Sequence, residues 1–293
     1  MDGILGLGRG DTRANTIEAP SLLDALSSSK LIEKKLFGIH LSRGVDGLDD
    51  GELNLGAPNT NRYDGDLSWT KTVDNENGYW EIAISGAGFD GKTTDFTGRT
   101  AILDSGTSYI LMPSGDALAL HSLIKGFTQS EDGETFTVPC STTKPVQIKF
   151  GSKSFDVSTK DYMGGSVGNG NCASNIIGRQ VFGEKQWLVG DVFLKNIYSV
   201  FDVDNSQVGF GVKKEGAQSS TSSDMPSSTA TAADMESVTA SPILPGSPYT
   251  VPTAVNQNNP QESEPVKGEG GRAKAPTSSF ALLVALALLS VFV

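Results

Sequence analysis

The stretch Ala101-Ile102-Leu103-Asp104-Ser105-Gly106-Thr107-Ser108-Tyr109-Ile110-Leu111 decides how the rest of the chain is read. Two apolar runs of strand composition bracket a short polar turn, and one carboxylate stands where the first run ends. Gly106 permits a close approach that a Cβ would block. The hydroxyls of Ser105, Thr107 and Ser108 join the backbone N–H groups as donors around Asp104. The same residues also fit a plain β-turn with a capping carboxylate, so the flanks must decide.

Outward from this turn the hydrophobic periods are mostly those of strands. Trp80, Ile82 and Ile84 alternate against a more polar face, and Val146, Ile148 and Phe150 do the same. Buried apolar runs are expected at Thr100–Leu103, Tyr109–Met112 and Trp187–Val189, and Asp204-Asn205 turns the chain between Tyr198–Val203 and Gln207–Val212. Helices are few. Pro20 opens one before Leu22, Leu23 and Leu26, and Ser114 is the expected N-cap of another over 116–125, closed by Gly126. The pattern predicts an all-β protein with short peripheral helices.

Composition narrows the chemistry. The 293 residues carry 23 Lys and Arg against 34 Asp and Glu, a formal charge of −11, which excludes a nucleic-acid partner that demands a basic face. Two Cys and two His are too few for a zinc cage and leave little for a nucleophile triad, so the candidate chemistry rests on carboxylates and hydroxyls. His40 and His121 read as ordinary surface or helix residues, and Trp80, Trp187 and Phe193 as core.

Beyond Lys214 the composition changes. Residues 215–267 are dominated by Ser, Thr, Pro and Ala without a hydrophobic period, too little apolar area to offset the entropy of ordering. They read as an extended, disordered stalk, either O-glycosylated or an unmodified linker. Residues 268–293 end in the uncharged run Phe280–Val293, which as a helix reaches about 21 Å against a hydrocarbon core of about 30 Å. Small residues at Gly268 and Gly270, a polar spacer and an apolar terminus match a glycolipid-anchor signal, with Gly268 the expected attachment residue; a short spanning helix is the alternative. A surface anchor implies the secretory pathway, yet the first ten residues lack a signal peptide, so the chain is expected to be the C-terminal part of a longer precursor.

Taken together, these segments resemble the pepsin-like aspartic proteases. Asp104-Ser105-Gly106-Thr107 is similar to the second active-site motif of that family, and Gly78-Tyr79-Trp80 stands before it as the family's Gly-Tyr-Trp does. Gly190-Asp191-Val192-Phe193-Leu194 resembles the late Gly-Asp-x-Phe-Leu element, Asp2-Gly3-Ile4-Leu5-Gly6 its first-lobe counterpart, and Gly51–Gly56 the inter-lobe sheet. The resemblance covers residues 2–212. It implies a bilobal, mostly β fold, with residues 1–56 the rear of the N-terminal lobe and inter-lobe sheet, and 57–214 the complete C-terminal lobe.

The resemblance implies an endopeptidase in which two Asp carboxylates activate one water, without metal or cofactor, acting on peptide or protein substrates. It makes Asp104 catalytic and Ser105 its support, and places Tyr79, Gly106, Thr107 and Ser108 along the substrate cleft. It pairs Cys140 with Cys172 in a disulfide, the alternative being two free thiols; such a loop contributes about 3–4 kcal/mol by chain entropy. The sequence holds no second Asp-(Thr/Ser)-Gly, since Asp11-Thr12 continues into Arg13 and Asp90-Gly91 and Asp132-Gly133 lack the hydroxyl residue. The chain alone is therefore expected to be inactive. Retroviral relatives pair two identical single-Asp subunits, but residues 2–56 would obstruct such docking, so a monomer is expected. The rival reading is a non-catalytic, protease-derived surface protein that binds peptides or glycans.

Overall fold

A computed structural model describes residues 5–9 and 19–214. These form three sheets with few helices and no closed barrel, the mostly β architecture expected. The stalk, the anchor signal with Gly268, and Asp2–Ile4 lie outside the described residues. Strands and helices are numbered in chain order.

The first sheet has the order β2 (Glu52–Leu55), β1 (Leu36–His40), β15 (Ile197–Asp202), β16 (Gln207–Lys213), β3 (Tyr63–Lys71), every pair antiparallel. The second runs β10 (Lys153–Val157), β9 (Val146–Phe150), β4 (Glu81–Phe89), β5 (Lys92–Leu103), β14 (Gln186–Val189), β6 (Ile110–Leu111), β13 (Ile176–Ile177). The third is β11 (Met163–Gly168), β12 (Asn171–Ser174), β8 (Phe136–Pro139), β7 (Thr128–Gln129). The helices are α1 (Leu22–Ser28), α2 (Ser114–His121), α3 (Thr159–Tyr162) and α4 (Asp191–Leu194), with a 3-10 turn at Gly44–Asp46. No helix among the described residues is long and apolar enough to cross a membrane.

The period-2 stretches become the core because one face of each strand points inward. Val146, Ile148 and Phe150 are buried, and Phe150, Phe155, Phe193 and Phe210 pack ring against ring with centroids 5.1–6.4 Å apart. Trp80, Trp187 and Phe193 are buried as expected. Cys140 and Cys172 form the disulfide, which clips the end of β8 to β12.

Three local expectations are corrected. Helix α2 starts at Ser114 itself, behind Pro113 as N-cap, and stops at His121, because Pro113 fixes its own φ and its carbonyl already accepts from Asp116 and Ala117. Glu81, on the supposedly polar face of β4, is buried. Neither histidine is a surface residue: His40 is buried against Asp50 (Nε2 to Oδ2, 3.1 Å), and His121 is buried between α2 and β12.

Candidate active site

The short strand β14 is inserted between the two strands that the Asp104 turn connects. It runs parallel to β5, pairing Val189 with Leu103, and antiparallel to β6, pairing Val189 with Ile110. The turn 104–109 must therefore arch over the end of β14, and backbone bonds fasten it there. Asp104 N–H donates to the Val189 carbonyl (3.1 Å), Gly190 N–H to Tyr109 (3.0 Å) and Asp191 N–H to Thr107 (2.8 Å). A Cβ on Gly190 would lie 1.9 Å from the Thr107 oxygen and 2.8 Å from that of Tyr109, so only glycine closes this junction.

Within the turn the Asp104 carboxylate is held by two neutral donors. Gly106 N–H donates to Oδ1 (2.9 Å) and the buried Thr107 hydroxyl to Oδ2 (2.6 Å). A Cβ on Gly106 would meet Oδ1 at 3.0 Å, so its absence clears room for the carboxylate. No cation pairs with Asp104 among the described residues, and each carboxylate oxygen keeps lone-pair capacity. Ser105, Gly106 and Ser108 are exposed around a half-buried Asp104.

A family model for eukaryotic aspartyl proteases matches residues 1–213. The chain belongs to that family. It is 41% identical over 210 residues to an aspartic-type endopeptidase, ctsD, of Aspergillus fumigatus, covering 72% of this chain and 44% of that one. It is 42% identical over 218 residues to a probable aspartic-type endopeptidase of Arthroderma otae, covering 74% of this chain and 56% of that one. Against human cathepsin D it is 32% identical over 218 residues, covering 72% and 52%. The chain thus spans about half the length of the curated relatives it matches.

In this aspartyl protease chain the structure brings together Asp104, Ser105, Gly106, Thr107 and Ser108. Tyr79 stands just before β4, in which Glu81 pairs with Ile102; carrying that register on by two residues sets Tyr79 across from Asp104. Its ring packs on Phe182, with centroids 5.4 Å apart. Cys172 lies in the third sheet and Cys140 just past the end of its strand β8. Among the described residues no group of three or more His, Cys, Asp or Glu side chains is placed to ligate a metal ion.

Sequence reading missed the other end of the same strand pair. Asp116 of α2 is buried there, accepting from Arg99 Nε (2.8 Å) and Nη2 (3.0 Å) and from the Trp187 indole (2.9 Å). Its hallmark in sequence, an acid early in a helix, passes for an ordinary first-turn residue. His121, one turn on, uses Nδ1–H toward the Ala117 carbonyl (2.7 Å), so Nε2 accepts from the Ser174 hydroxyl (2.8 Å). Burial pushes its pKa down to about 4.

Proposed function

We propose that this chain supplies one of the two carboxylates of an aspartic-type endopeptidase, and that Asp104 is that group. The observation that carries this reading is an acid fixed by Gly106 and Thr107, at a strand junction, with no cation on it among the described residues. Two such carboxylates facing across one water share a proton, because close like charges do not both ionise. The ionised one removes a proton from the water as its oxygen bonds to the scissile carbonyl carbon. The protonated one gives its proton to the carbonyl oxygen. Collapse of the tetrahedral intermediate breaks the C–N bond, and the amine leaves with a proton from the pair. Gly106 and Thr107 offer hydrogen bonds to the peptide backbone, while Tyr79 and Ser108 line the cleft beside Asp104.

The 293 residues contain one Asp-(Thr/Ser)-Gly, so we read the chain by itself as unable to cleave peptides. Within an enzyme that supplies the second motif, Asp104→Asn should abolish peptide cleavage and leave folding intact; retained turnover would refute the assignment. The single motif also favours a second reading, a peptide- or glycan-binding protein derived from a protease. Genomic sequence upstream of the Met1 codon separates the two: an Asp-(Thr/Ser)-Gly with a flap Tyr supports the enzyme, and an altered motif supports the binder.

The Ser/Thr/Pro-rich residues 215–267 and the segment 268–293 support a reading as a cell-surface protein carried on a stalk, monomeric, with a glycolipid at Gly268. Release from intact cells by a phosphatidylinositol-specific phospholipase would bear this out, and retention after treatment would count against it.

A further inference from the structure

A buried carboxyl group lies two residues beyond Tyr79. Glu81 is 3% exposed, and among the described residues it pairs with no cation. Its Oε1 accepts from the Thr100 hydroxyl on β5 (2.5 Å) and from the Gln186 side-chain amide on β14 (2.8 Å). Gln186 then accepts, through its own Oε1, from the backbone N–H of Gly183 (2.8 Å), while its N–H donates to the Gly183 carbonyl (3.0 Å). One residue therefore closes the 183–186 turn from both sides and ties it to β4.

That turn carries an aromatic ring back to the Asp104 end of the sheet. Phe182, next to Gly183, packs on Tyr79 with ring planes at 59°, and its carbonyl accepts from Gln180 Nε2 (3.1 Å). Tyr79 is fixed from below: its N–H donates to Asn75 Oδ1 (2.9 Å) and its carbonyl accepts from Asn75 Nδ2 (3.1 Å). Both rings are half-buried, leaving aromatic surface open to solvent. Gln186 is the one polar residue of β14, followed by Trp187, Leu188 and Val189, and both ends of its amide are spent on this circuit.

We propose that Gln186, acting through Glu81 and the Gly183 amide, is a positioning residue that holds Phe182 against Tyr79, so that the two rings form a wall beside Asp104 for a large apolar side chain of a bound peptide. This rests on the peptide-cleft reading above. Without Gln186 the Gly183 N–H loses its partner, the turn loosens and Phe182 leaves Tyr79.

The test is nuclear magnetic resonance on the full chain, following Tyr79 and Phe182 ring signals and the amides of residues 105–108 during titration with two peptides that differ in one central residue, Phe or Gly. The Phe peptide should bind more tightly and move both sets of signals. Gln186→Leu should reduce the preference for Phe over Gly about fivefold, and Phe182→Ala should do the same. The double variant should be no worse than Phe182→Ala alone, as required of residues acting through one another. Glu81→Gln keeps the Oε1 acceptor and should retain the preference. If Gln186→Leu does not fold, Gln186→Ser, too short for either partner, takes its place. A preference unchanged in the Gln186 variant, or additive losses in the double variant, would overturn the proposal even if the thermal midpoint falls. Shifts at 105–108 without shifts of the rings overturn it while sparing the functional reading; no shifts anywhere overturn both.

Discussion

The strand pair β5 and β14 carries an acid at each end, and the two are treated in opposite ways. At the Thr100 end, Asp116 meets the Arg99 fork and the Trp187 indole and is spent on structure. At the Leu103 end, Asp104 meets one backbone amide and one hydroxyl and keeps its remaining lone pairs. Arg43 on Asp161 and Arg62 on Asp50 and Glu52 repeat the first pattern. At these places a guanidinium compensates the acid, since an uncompensated buried charge costs several kcal/mol. Glu81 and Asp202 are instead buried among neutral donors. Asp104 is also held by neutral donors, but it is half-buried in an exposed turn with lone pairs left over, as the proposed role requires.

The largest expected effect comes from breaking the junction on which the Asp104 end depends. Gly190→Ala forces a Cβ into two backbone carbonyls, which cannot give way as a flexible side chain can. We expect a loss of at least about 4 kcal/mol, or no folded protein, in chemical denaturation. A near-native midpoint would mean that the turn is not clamped as described.

Next comes acid sensitivity on the Asp116 side, where α2 also carries His121. Its folded pKa, about 4, lies below the ordinary histidine value of 6.5, so between these values the unfolded chain binds a proton that the folded chain does not. This contribution is complete above about pH 6.5, declines as the pH falls, and levels off below about 4, for a total of about 3 kcal/mol. His121→Phe should flatten that part of the stability profile even while lowering stability throughout. Hydrogen-bonded carboxylates such as Asp46 and Asp95, whose pKa values are lowered, add a loss in the same direction further into acid and should persist in the variant.

Two matched substitutions set the two acids against each other. Asp116→Asn should cost about 2 kcal/mol, below the usual range for a broken buried pair because the Arg99 side chain is 30% exposed. Asp104→Asn keeps Oδ1 for the Gly106 N–H and puts Nδ2–H where the Thr107 hydroxyl can turn to accept it, so it should cost less than about 1 kcal/mol. Thermal melts of the two variants side by side check this, and equal losses would dissolve the distinction between a structural and a functional acid.

Much of the fold was legible because period-2 burial is a local signal. Val146, Ile148 and Phe150 read as a strand face, and the Asp204-Asn205 turn fell between β15 and β16. The Asp104 loop was legible too, since its glycine and hydroxyls adjoin the acid in sequence. What escaped depends on contacts between distant residues. Asp116 meets Trp187 across 71 positions and Gln186 meets Glu81 across 105, and nothing local marks either pair. His121 does lie in a helix, but its burial escaped because its partner, Ser174, lies 53 positions away. Helix α2 is shorter than its sequence suggests because Lys125 and Gly126 resemble a C-terminal signal, whereas the α-helical bonds end with Ser122 donating to Leu118.

Peptide cleavage by the purified chain, assayed at acidic pH over widely spaced protein concentrations and in parallel with Asp104→Asn, tests most directly whether Asp104 is half of a pair. Neither protein should cleave at any concentration. Cleavage by the unsubstituted chain that disappears with Asp104→Asn would show that these residues supply a second acid after all, within one copy if the rate per molecule is constant or between two copies if it rises with concentration.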